Sequence, residues 1–96
     1  MATYILISSL TDEGRKTLKE RPERLAAVNK EVESMGGRIT AQYAVLGAFD
    51  FVTVVEAPSN EAVARISVEL GSRGTLQITT MAALSINAFV DMLAAT

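Results

Sequence analysis

Asp50, Glu56, Tyr4 and Tyr43 are the side chains on which proton transfer would have to rest, because the chain contains no histidine and no cysteine. Imidazole bases, thiolate nucleophiles and the imidazole and thiolate ligands of metal sites are excluded from this polypeptide. Asp50 closes the segment Gly47-Ala48-Phe49-Asp50, directly ahead of the β-branched run Phe51-Val52-Thr53-Val54-Val55. Its carboxylate could meet a ligand there, although an aspartate in a turn more commonly accepts a backbone N–H. Glu56 follows that run and is either a base or the ion-pair partner of an arginine such as Arg73 or Arg38. Arg73, between Gly71 and Gly74, has the fork to grip a carboxylate, yet its ordinary role is that of a loop arginine. Neither Gly-x-Gly-x-x-Gly nor Gly-Lys-Ser follows Gly47, which therefore suits a positive-φ turn rather than a phosphate loop. No catalytic residue, cofactor or metal site is assigned.

A second set of groups is milder. Tyr43, Thr53, Gln42, Thr40, Gln77 and Thr79 fall in strand-like runs, and their hydroxyls and amides suit a small neutral or weakly polar ligand. Asp50, Tyr4, Tyr43, Gln42 and Thr79 are thus the candidate ligand-binding residues. The competing expectation is that these groups simply satisfy one another at an interface.

The elements that would position them follow from periodicity. Thr3 to Ser9 carries the apolar run Tyr4-Ile5-Leu6-Ile7, as expected of a strand covered on both faces. The mixed charges from Thr11 to Arg24 predict a solvated helical turn and connection. Leu25, Val28, Val32 and Met35 then recur at helical spacing after Pro22, and Gly36-Gly37 supplies the helix end. Arg38 to Val45 alternates, with Ile39, Ala41, Tyr43 and Val45 expected on one face and Thr40, Gln42 and Ala44 on the other. After the Gly47 loop comes the strongest β signal, Phe51 to Val55, which ends at Glu56-Ala57-Pro58. Ser59 or Asn60 caps a helix carrying Val63, Ile66 and Leu70 inward, ended by Gly71. Thr75 to Leu84 is the fourth strand, and Ser85 caps a short last helix bearing Ile86, Phe89, Val90 and Leu93.

The predicted order is β-α-β-β-α-β plus a C-terminal helix, a ferredoxin-like α+β domain with an antiparallel four-stranded sheet. Residues 1–96 form one domain of a size that buries only about 60–65% of its unfolded surface, so association would help it. The first and third strands are apolar on both sides, which makes a second sheet from another copy the natural cover for the open face. A net charge of −2 carries no footprint for nucleic acid or an anionic membrane. The N-terminal apolar run is too short for a signal peptide or a span, and a cytoplasmic setting is expected.

The stretch Leu46-Gly47-Ala48-Phe49-Asp50-Phe51-Val52-Thr53-Val54-Val55-Glu56-Ala57-Pro58 closely resembles the GYD domain family, in which a Gly-x-Tyr-Asp turn leads into an apolar strand and Glu-Ala-Pro. Thr3-Tyr4-Ile5-Leu6, Gly36-Gly37 and Leu70-Gly71-Ser72-Arg73-Gly74 followed by Thr79-Thr80 agree with it. The resemblance implies a dimeric α+β barrel assembly. Phe49 stands where the family has its tyrosine, so a phenol is not carried over, whereas an aromatic ring packed under the loop is.

The expected function is a homo-oligomeric small-molecule binding or sensory module, with its ligand near the interface between facing sheets. The partners expected are a second copy of the chain and a small neutral or weakly polar ligand. One alternative is a cofactor-independent isomerase or monooxygenase of the dimeric α+β barrel kind, made less favourable by the missing histidine and cysteine. The other is a purely structural assembly protein.

Overall fold

In the computed structural model, which describes residues 1–95, β1 (Ala2–Leu10) runs through the middle of the sheet and carries its main apolar load. It alternates half-buried and buried positions, as a strand with contacts on both faces must. Two helices follow, α1 (Asp12–Glu20) and α2 (Arg24–Ser34), before β2 (Arg38–Ala44). A six-residue loop leads to β3 (Phe51–Ala57), and α3 (Asn60–Gly71) then crosses to β4 (Leu76–Ala83). The chain ends in α4 (Ile86–Ala94). The strand order is β2-β3-β1-β4, with every neighbouring pair antiparallel. This is the expected ferredoxin-like arrangement, with one helix more than the sequence periodicity predicts.

The extra helix is α1, which falls where no more than a solvated helical turn and connection was expected. Its signal is in the caps rather than in an apolar stripe. Thr11 accepts the Gly14 N–H on its hydroxyl, Asp12 and Glu13 occupy the first turn, and Lys19 lies in the last. The only buried residue in α1 is Gly14. A Cβ at Gly14 would stand 2.1 Å from the Thr75 carbonyl oxygen, so only glycine allows the helix start to sit on the chain entering β4. The Thr11 N–H donates to the Thr75 carbonyl at 3.1 Å and its hydroxyl to the Gly74 carbonyl at 2.7 Å, which fastens this junction.

The core lies between the sheet and the helices. Tyr4 and Leu6 from β1, Val55 and Ala57 from β3, Val32 from α2, and Val63, Ile66 and Leu70 from α3 form one buried cluster. Ile66 and Val55 have no exposed surface. Ser59 caps α3 by accepting the Ala62 N–H, and Ser85 caps α4 by accepting the Ala88 N–H.

The opposite face of the sheet carries Ile5, Ile7, Val52, Val54 and Met81, cross-strand neighbours over which the described residues lay no helical layer. A register shift between Ile39 and Ala41 corrects the expected facing of β2. Thr40 is the extra residue of this bulge, so Ile39 pairs with Val55 on the helix side while Ala41 and Tyr43 pair with Val54 and Val52 on the open side. Simple alternation put Ile39, Ala41 and Tyr43 together; one inserted residue separates them.

Candidate functional site

Between the sheet and the α1/α2 pair lies a cavity of about 180 Å³. Leu6, Phe51, Ile39 and Ile78 contribute from the strands, and Leu25 and Val28 from α2. The cavity exists because α1 and α2 each bury a single residue, Gly14 and Val32, and so leave the space above β1 and β3 unfilled. Its polar positions form a band across the floor. Gln42 pairs with Thr53, and Ser8 with Phe51, which places the two hydroxyls diagonally on adjacent strands.

These groups are partly engaged. Asn29 Nδ2 donates to Gln42 Oε1 at 2.7 Å, and Gln42 Nε2 donates to Asn29 Oδ1 and to Thr53 Oγ1, both at 3.2 Å. Among the described residues, Ser8 and Thr53 are the two buried polar ones. Arg24 and Arg73 stand at the margin. Arg73 is held by Glu31 and by Glu69, the latter at 3.3 Å. The Arg73 hydrogen bond depresses the Glu31 carboxyl below its ordinary range, against a smaller opposing effect of burial, and Glu31 in turn raises Arg73. Arg73 is therefore spent on its own protein.

The five ligand-binding candidates do not converge. Gln42 lines the cavity. Tyr4 is buried in the core cluster and its hydroxyl donates to Asn60 Oδ1 at 2.5 Å. Tyr43 and Thr79 are exposed on the open face of the sheet. Asp50 serves the backbone: its Oδ2 accepts the Leu10 N–H at 2.7 Å while its own N–H donates to the Ser8 carbonyl at 2.9 Å. The β1–β3 ladder ends at Ser8 and Phe51, and the carboxylate continues it by one bond. Its partner is 40 residues away in sequence, so this is a tertiary tie rather than a local turn bond. Gly47 has φ 140, the left-handed side that the loop requires. Phe49 is 44% exposed, so its ring is not buried beneath the loop. Glu56 pairs with Arg38 at 3.6 Å on the open face, leaving Arg73 to the acids of α2 and α3.

Ser8, Leu25 and Val28 were not among the candidates. Leu25 and Val28 read from sequence as core-facing members of a helical stripe, and a serine in a strand gives no warning that the layer above it is hollow. This cavity lies on the helix side of the sheet, a place distinct from the space between facing sheets in which the sequence reading set a ligand. Among the described residues no cluster of acidic side chains could hold a metal ion, and no helix is long and apolar enough to cross a membrane.

Comparison with known proteins adds relatives to this geometry. A Thermus thermophilus protein named glutamine synthetase and cystathionine beta-lyase binding protein is 48% identical over 87 residues, covering 90% of this chain and 92% of that one. Three solved structures share the fold. FFRP-DM1 superposes with a TM-score of 0.59 at 19% identity, over 88% of this chain and 100% of that one. TTHA0845, also from Thermus thermophilus, gives 0.55 at 18%, over 88% and 95%. The hypothetical protein PHS023 from Pyrococcus horikoshii gives 0.57 at 20%, over 88% and 92%. The family model described as GYD domain matches residues 4–93, and the chain belongs to the GYD domain family.

Proposed function

We propose that this chain is a non-catalytic, homo-oligomeric binding module of the cytoplasm that pairs through its open sheet face, holds a small molecule, and docks on a metabolic enzyme such as glutamine synthetase or cystathionine beta-lyase. The near full-length relative named for binding those two enzymes carries the docking part of this proposal. The bare apolar face supports the pairing. Four strands of seven to nine residues span roughly 25 by 19 Å at ~3.3 Å per residue and ~4.8 Å between strands, or about 475 Å² per copy. Two such faces bring about 950 Å² together, short of the roughly 1,200–2,000 Å² of a stable interface. The helix α4 can supply the remainder, since none of its residues is buried and Ile86, Phe89, Val90 and Leu93 are all exposed.

A second copy on this face would also cover Tyr43 and Thr79, which gives those two candidates a place at the interface. The scarcity of acid–base groups at the cavity, whose polar floor is hydroxyl and amide, favours binding over turnover. Light scattering on the purified chain is expected to report a dimer or a multiple of it, and Val54→Lys, in the centre of the open face, to shift it toward monomer. A concentration-independent monomer would remove the pairing. For docking, the chain is mixed with each purified enzyme and followed by co-elution in gel filtration; failure to co-elute with either enzyme removes the named partners.

A further inference from the structure

We propose that the cavity between the sheet and α1/α2 binds an uncharged molecule of about one ring's bulk bearing a carbonyl oxygen, held by the hydroxyls of Ser8 and Thr53. This deepens the small-molecule part of the function proposed above and rests on it.

Size sets the first limit. The cavity measures about 180 Å³. An apolar cavity of about 150 Å³ is enough to take up benzene, so this one accepts a single ring with a small substituent. The wall sets the second. Leu6, Leu25, Val28, Ile39, Phe51 and Ile78 surround the space, and an ion brought among them would lose its hydration without replacement. The margin offers no relief for a carboxylate deep inside: Arg73 is taken by Glu31 and Glu69, and Arg24 is an exposed residue at the first position of α2. A neutral ligand is the class that remains.

The floor sets the third limit. Ser8 is 7% exposed, and its hydroxyl has no hydrogen-bond partner among the described residues. No side-chain polar atom of the described residues is sealed off without a partner, so the Ser8 hydroxyl must reach the cavity. Thr53 is 8% exposed and accepts from Gln42 Nε2, which leaves its own proton to donate. Leu6 pairs with Thr53 and Ser8 with Phe51, so the two hydroxyls are diagonal neighbours on β1 and β3. Diagonal positions lie roughly 7–8 Å apart at the backbone, near enough for both O–H groups to reach one acceptor atom between them. Two hydroxyl donors on the floor of a cavity with apolar walls call for an acceptor, and a carbonyl oxygen with two lone pairs meets both. An alkane or arene of the same shape would leave those donors unpaired.

The test is a nitrogen-15 chemical-shift titration of the whole chain with three probes of matched size: acetophenone, ethylbenzene and benzoate. Acetophenone is expected to move the amide signals of Ser8, Thr53 and Gln42, and to bind roughly 10-fold more tightly than ethylbenzene, the worth of one to two net hydrogen bonds. Benzoate is expected not to bind. Ser8→Ala, and separately the isosteric Thr53→Val, should each erase about 3–10-fold of the preference for acetophenone while leaving ethylbenzene binding in place. Cavity amides that stay still with all three probes, benzoate binding as well as acetophenone, or an undiminished preference in both variants would each overturn the proposal. The titration is independent of assembly. A chain that co-elutes with its enzyme but admits no probe loses this site and keeps its docking role, and the reverse result keeps the site and removes the docking.

Discussion

The crossover from β3 to β4 and the crossover from β1 to β2 lie over the same face of one sheet, and they fill it differently. α3 places Val63, Ile66 and Leu70 into the core from three successive turns, and Ile66 is completely enclosed. α1 and α2 together bury one glycine and one valine. The first crossover is longer and has more helix, yet it contributes less to the core and roofs the cavity instead. Close packing and open space are thus divided between two halves of one layer: the half formed by α3 is packed, and the half formed by α1 and α2 holds the cavity.

Substitutions on each side test that division. Ile66→Ala removes a fully enclosed side chain from the packed half and should cost about 4 kcal/mol, read as the urea unfolding midpoint. A loss near ~1 kcal/mol would mean that this half can collapse and is not solid. Gly14→Ala strikes the seat of the hollow half's roof. With the Thr75 carbonyl in the way, α1 has to lift, and a loss of about 3 kcal/mol is expected. Amide exchange should then accelerate in α1 ahead of α3.

Asp50→Ala releases the Leu10 N–H at the edge of the cavity floor and should cost about 2 kcal/mol, the range for a hydrogen bond to a charged acceptor. Ser8→Val has the opposite sign: it fills empty space and removes an unpaired hydroxyl, so the melting temperature should rise by a few degrees as acetophenone binding disappears. A fall in melting temperature would show that the space is already occupied by side chains in solution.

The smallest effect concerns pH. Glu31 ionises more readily folded than unfolded because Arg73 hydrogen-bonds its carboxylate. That stabilisation is complete above the ordinary glutamate range near ~4.3 and is lost as pH falls through the lower folded value. Glu31→Gln should flatten this part of the acid unfolding curve and leave stability at neutral pH almost unaltered, since the pair is solvent-exposed.

Much of the scaffold is readable in the sequence because period and punctuation agree. The β1 and β3 runs, the Val63-Ile66-Leu70 stripe and the serine caps of α3 and α4 each carry a local signal that tertiary packing reinforces. α1 escapes because it has no apolar stripe and keeps its place by caps and by Gly14. The facing of β2 escapes because a bulge changes parity without changing composition. The cavity escapes for a different reason: residues that line a void have the same apolar types as residues that fill a core, and the difference lies in the distance between layers. Ser8 is a case in point, since its neighbours in sequence say only that it belongs to a strand.

The sheet also has two unequal margins. β2 closes one side with Arg38 and the Thr40 bulge, both of which discourage another strand from zipping alongside. β4 closes the other with Leu-Gln-Ile-Thr-Thr-Met-Ala-Ala, a run with no charge, no proline and no bulge. Such an edge is a template for aggregation whenever it is left uncovered. Under heat or at low pH, clumping should therefore begin at β4, and Thr79→Lys should delay it more than any change to the opposite margin.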